Sequence, residues 1–213
     1  MDSSRTRLRV AFMIVVPLAW AVLLAFHPNP SHHIYDGLRE EVTVWLVVHV
    51  GMLVFIGLTG VVLYQLVRPL RGSAARVCRL AIGPFVLFYG AGEAILGIAV
   101  GVLVDHANTV PEGDRAVVAG SIQQLWDSFV AGDLLISVGS VAWVIAVVAA
   151  AVAFRQAHAP VLVSVLLVLS VIVVLHPPPF GPLGLVFLAG AIGLQAFGRR
   201  ATPAAAPARA DLG

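Results

Sequence analysis

One imidazole and two carboxyl groups lie well inside apolar runs long enough to cross a bilayer: His49, Glu93 and Asp133. A carboxylate at the centre of a spanning helix costs on the order of 3 kcal/mol even on a lenient insertion scale, so neighbouring segments have to make it tolerable. Carboxylates are hard ligands and proton carriers, and an imidazole titrates near neutral pH. A meeting of these residues would therefore suit a cation or proton site. Asp133, Ser137 and Ser140 recur at i, i+4 and i+7, which lays a polar stripe along one helix face. The competing reading is a buried network of His49, Glu93 and Asp133 that only sets helix register.

The elements that must position these groups are read from hydropathy. Of 213 residues, 60% are hydrophobic and 11% charged, against roughly 25% charged in soluble domains, and the mean hydropathy is +0.97. The apolar residues form continuous runs rather than alternating segments, which excludes a transmembrane barrel and predicts an all-α polytopic bundle. Six spans are expected, at Leu8–Phe26, Val42–Val67, Gly83–Val104, Trp126–Phe154, Pro160–Leu175 and Leu183–Phe197. The first is read as an uncleaved helix, because Ala25-Phe26-His27-Pro28 offers no clear cleavage site. Pro17 is expected to kink it. In the third span Gly90, Ala94, Gly97 and Gly101 form a small-residue stripe that admits a neighbouring helix, with Glu93 at its border. Trp45 and Tyr64 read as interfacial anchors of the second span.

The connections set the orientation. All thirteen basic residues are arginines, and eleven lie in the N-terminus, the 68–79 and 155–159 connections and the tail. Only Arg39 and Arg115 fall in the other two long connections. The positive-inside rule then puts both termini in the cytoplasm of a plasma-membrane protein. Residues 1–197 read as one transmembrane domain and 198–213, rich in Ala, Pro and Arg, as a disordered tail. Between Asp105 and Leu125, Thr109-Val110-Pro111-Glu112 matches a capping box, and Val118, Ile122 and Leu125 recur at helical spacing. A short amphipathic surface helix is expected there.

Helix rise converts this topology into depth. His49 and Asp133 lie roughly 10 Å, and Glu93 roughly 16 Å, below the outer face. His27 and His176 end outward-running spans, and Asp127 sits near the rim. The pattern predicts a funnel that opens outward, with Glu93 at its floor and His27, Asp127 and His176 around its mouth.

His27, His32, His33, His106 and His176 all fall on that outer side, where imidazole would suit zinc or copper. No HExxH motif or i, i+4 histidine pair occurs, so no metal ligand and no cofactor are assigned. The single cysteine, Cys78, excludes an intrachain disulfide. No nucleophile-elbow sequence surrounds the serines, so no catalytic residue is named. No basic cluster stands apart from the spans, which argues against a nucleic-acid partner. The first and fifth spans both end in His-Pro, as HPNP and HPPP, too short a likeness to establish a duplication.

The arginine-flanked start, the His-Pro after the first span, the acid within the third and the HPPPFGPLG segment together resemble small multi-pass membrane proteins of high-GC bacteria with no assigned activity. The resemblance implies architecture only. Three classes of function fit the residues. The first is a binding or transport protein for a small solute, ion or proton, using His49, Glu93, Asp133, Ser137 and Ser140. The second is an accessory protein with a packing network, and the third a metal-dependent or redox membrane enzyme using outer histidines. The lipid bilayer is the expected partner. Transport by so few spans would also call for a homo-oligomer or another membrane protein.

Overall fold

The computed structural model describes residues 3–30 and 33–198. The tail predicted to be disordered, together with His32, lies outside the described residues, apart from Gly198. All regular structure among the described residues is helical. The elements are α1 (Ser3–Leu24), α2 (Ile34–Leu38), α3 (Val42–Val67), α4 (Ser73–Thr109), α5 (Glu112–Trp126), α6 (129–156), α7 (Val161–Val174) and α8 (Phe180–Gly198).

Five helices are long and apolar enough to cross a membrane. The expected fifth span is the exception in length, with nine α-helical residues followed by a five-residue 3₁₀ turn. The expected third span is part of a longer helix, because α4 begins at Ser73 and takes Arg76 and Arg79 into its first turns. Pro17 lies within a continuous α1.

The helices are apolar on both their inward and outward sides. Trp20, Met52, Phe85, Trp143 and Phe154 are buried, while Val15, Val22, Val47, Val54, Leu87 and Val152 are exposed. Such a coat has no place in water over this area and suits a helix surrounded by acyl chains. Without a hydrophobic drive between helices, association depends on close packing and interhelical hydrogen bonds. Both are present. Ala142, Ala146, Ala149, Ala150 and Ala153 keep the inward side of α6 slim. Trp143 Nε1 donates to the Ser170 carbonyl at 3.1 Å, and Ser164 Oγ to the Ala151 carbonyl at 3.0 Å.

A second, smaller core covers one end of the bundle. Ile34, Tyr35 and Leu38 of α2 pack with Val42, Trp45, Val100, Val104, Ala107 and Ile122. Polar ties reinforce it: the Ile34 amide donates to Gln123 Oε1 at 3.2 Å, and the Tyr35 hydroxyl to Asn108 Oδ1 at 3.0 Å. The short helix expected near 105–125 is α5, and Ile122 is its buried anchor. Its start differs from a capping box, since Pro111 occupies the N-cap position and the Thr109 hydroxyl donates to the His106 carbonyl.

Trp45 is no interfacial anchor. It is 1% exposed, and its Nε1 donates to the Gly97 carbonyl at 2.6 Å, pinning α3 to α4. The small-residue stripe is real over half its length. A Cβ at Gly97 would overlap the His49 imidazole and one at Gly101 would meet Leu46 and Trp45, whereas one at Gly90 would meet nothing. Gly97→Val is therefore expected to lower stability by about 1–3 kcal/mol through overpacking. Gly90→Ala should gain about 0.5–1 kcal/mol of helix preference. Thermal unfolding of the two variants in detergent should move in opposite directions.

Candidate functional site

The capped end of the bundle gathers four polar side chains from four elements. His27 follows α1, whose last amides tighten onto Ala21, Val22, Leu23 and Leu24 before Pro28, which has no N–H to continue the ladder. His49 lies one turn beyond Trp45 on α3 and is admitted by the bare backbone of Gly97. Glu93 lies between two π-helical stretches of α4, Phe85–Tyr89 and Ala94–Ala99. Such wide turns are rare and are common at functional sites. His176 follows the 3₁₀ turn Ser170–Val174 and precedes three prolines. Gly181 allows α8 to start against its carbonyl.

The side chains converge closely. One ring nitrogen from each of His27, His49 and His176 lies within 4.8 Å of the others. The His27 ring centre is 4.9 Å from that of His49 and 4.8 Å from that of His176. Glu93 Oε2 is 3.6 Å from His49 Nε2, and Oε1 is 3.8 Å from His176 Nδ1. Tyr89 stands one turn before Glu93. Its hydroxyl shares a 3.2 Å hydrogen bond with His176 Nδ1.

Backbone carbonyls set two tautomers, because a carbonyl can only accept. His27 Nδ1 donates to the Pro28 carbonyl at 2.5 Å and His49 Nδ1 to the Trp45 carbonyl at 2.8 Å. Both Nε2 atoms are thereby left as lone-pair bearers, and His27 Nε2 is buried without a hydrogen-bond partner. Glu93 Oε1 is in the same position. His27 and His176 belong to the connections between spans, and burial pushes both imidazoles below the ordinary histidine range, towards the neutral form.

A cavity of about 450 Å³ opens beside this group, with Trp45, His49, Glu93, Trp126, Asp127, Asp133 and His176 among its walls. On the far side of Glu93 along α4, the buried rings of Tyr89, Phe85 and Trp143 pack together, with centres 5.7 and 4.9 Å apart.

Of the residues singled out from sequence, His49 and Glu93 meet as expected. His176, expected at a rim, lines the cavity with them, and His27, also expected there, packs against the His49 and His176 rings without being one of the cavity walls. Asp127 and Asp133 line the cavity but are exposed, and Asp127 accepts a hydrogen bond from Gln123 Nε2 at 3.0 Å. Ser137 and Ser140 do not line the cavity. The wide turn at Phe129–Leu135 breaks the i, i+4, i+7 arithmetic that joined them to Asp133. The outer histidines left without a metal role include two of the three that converge. His33 and His106 are exposed and stand apart from them. Sequence reasoning missed Tyr89 and Trp45. Tyr89 was discoverable at helical spacing from Glu93.

The three imidazoles could hold a metal ion, with the Glu93 carboxylate beside them. The arrangement can also accept any small cation that reaches the cavity floor. No family model, curated protein or solved structure matches the chain, so the site is interpreted on its geometry.

Proposed function

We propose that the chain is an integral membrane protein that takes a small cationic ligand from the outer aqueous phase into the cavity floored by Glu93. The carrying observation is the carboxylate itself: Glu93 is 2% exposed, and its Oε1 has no hydrogen-bond partner at the end of an open cavity. A network built only for packing would satisfy its own members, since each orphaned buried polar group costs about 1–3 kcal/mol. Three acids and no arginine line this cavity. A cation is the ligand such a surface lacks.

The outward orientation rests on the arginine distribution and the positive-inside rule. The aromatic stack behind Glu93 favours binding at a blind site over an open pore. Passage across the membrane would require a second conformation or a second copy of the chain.

Three measurements test this reading. A C-terminal reporter active only in the cytoplasm should give signal, and silence would reverse the bundle or change the span count. Asp133→Cys in a Cys78→Ala background should react with a membrane-impermeant maleimide added to intact cells. Labelling confined to inverted vesicles would place the mouth on the other side, and no labelling in either would close the cavity.

The third concerns stability. A buried group kept for binding is retained at the expense of the unliganded fold. Glu93→Met should therefore raise the thermal midpoint of chelator-treated protein in detergent. A packing network would instead lose stability with the same change.

A further inference from the structure

We infer that His27, His49, His176 and Glu93 form a binding site for a divalent transition-metal ion of the zinc class. The inference names the ligand of the cavity proposed above and rests on that cavity as the ion's route of access.

Geometry is the first argument. Two atoms bonded to one tetrahedral ion at about 2.0–2.1 Å stand roughly 3.3–3.4 Å apart. His49 Nε2 and Glu93 Oε2 are separated by 3.6 Å, beyond ordinary hydrogen-bond length and near that spacing. The three histidine nitrogens, within 4.8 Å of one another, need a modest contraction to close on the same point.

Orientation is the second. Metal-bound imidazoles ordinarily donate their other ring N–H to a carbonyl or carboxylate, which fixes the tautomer and the ring. His27 and His49 already do so, through Pro28 and Trp45. His176 Nδ1 shares a hydrogen bond with the Tyr89 hydroxyl, and in the tautomer whose Nδ1–H donates to that oxygen Nε2 carries the free lone pair. His27 Nε2, buried and unpartnered, has no other task in the fold. His49 Nε2 faces a carboxylate oxygen, and two such acceptors leave a place between them that a cation fills.

Donor chemistry is the third. Three imidazoles and one carboxylate suit zinc, with Cu²⁺ and Fe²⁺ as competitors, whereas Ca²⁺ and Mg²⁺ prefer all-oxygen sites. The charge also balances better. Glu93 has no arginine near it in the cavity wall, and the ion supplies the missing positive charge.

The test uses the full chain, purified in detergent without a polyhistidine tag, stripped with chelator and titrated separately with Zn²⁺, Cu²⁺, Fe²⁺ and Mg²⁺. About one Zn²⁺ per chain is expected, with Mg²⁺ not retained. His27→Ala, His49→Ala and His176→Ala should each abolish retention through gel filtration. Tyr89→Phe should weaken it about 10–100-fold, as loss of a hydrogen bond to a ligating imidazole does. His33→Ala and His106→Ala, at exposed histidines, should bind as the parent chain does.

A second readout needs no variant. Co²⁺ loaded in place of zinc should show the intense visible bands of a four-coordinate centre. A monodisperse parent chain that retains none of the transition metals, or retains them equally after loss of His49, would overturn the proposal. The two readings fail separately. Maleimide labelling of the Asp133→Cys variant, with no metal held by the parent chain, leaves the cavity and removes the ion. Bound metal with no labelling of that variant keeps the ion and removes the outward mouth.

Discussion

A carboxylate buried among helices that carry no arginine at its depth imposes the constraint on which the capped end is built. Glu93 is 2% exposed and has no arginine in the cavity wall. Its surroundings respond with neutral groups that present either a hydroxyl hydrogen or a lone pair. The hydroxyl belongs to Tyr89, which shares a hydrogen bond with His176 Nδ1, and the lone pair to His49 Nε2. The rest of this end holds those groups in place: Trp45 ties α3 to α4 through the Gly97 carbonyl, the bare Gly97 backbone admits His49, and α2 and α5 cover the outside with an apolar layer.

Irregular backbone does the positioning. Each histidine at a span end occupies a point where a helix has to stop, and the acid lies where one has to widen. His27 precedes Pro28 and His176 precedes Pro177, and the prolines end the local amide ladder and turn the chain back. Glu93 lies between wide turns that add a residue to the local repeat. Regular α-helices would carry these positions past one another at fixed pitch. Departures from that pitch at the end of the bundle let side chains from four elements reach one point. In an apolar surrounding they are tolerated where protein rather than lipid covers them.

Much of this was legible in the amino-acid sequence, and the boundary has a physical cause. Hydropathy alone predicts an all-α bundle, because runs of Val, Leu, Ile and Ala of this length have few other solutions. Helix rise placed His49 and Asp133 at one depth with Glu93 below them, and of these it is His49 and Glu93 that meet. Spacing failed wherever the backbone left the 3.6-residue repeat. The Asp133, Ser137 and Ser140 stripe assumed a regular helix and met a π-helical stretch instead. The Gly90 end of the glycine stripe lies beside another, and a Cβ there would meet no neighbouring helix. Trp45 was read by its type, as an interfacial aromatic, when its position one turn from His49 made it part of the site. The convergence of His27 with His176 is a property of α1 and α7 ending at the same level, which no window of residues contains. The paired His-Pro ends were visible, but only tertiary packing joins them.

That pairing bears on how the site is assembled. Two of the three imidazoles come from connections and one from a helix interior, and the carboxylate comes from a fourth, separate element. A ligand held by all four would cross-link α1, α3, α4 and the end of α7, so occupancy and the closure of the capped end are one equilibrium. The aromatic stack of Tyr89, Phe85 and Trp143 lies on the other side of that cross-link, and Tyr89 belongs to both. Tyr89 touches His176 through a hydrogen bond and the α4–α6 packing through the Phe85 and Trp143 rings. A small ion at one end of this bundle could thus bias the helix packing at its centre.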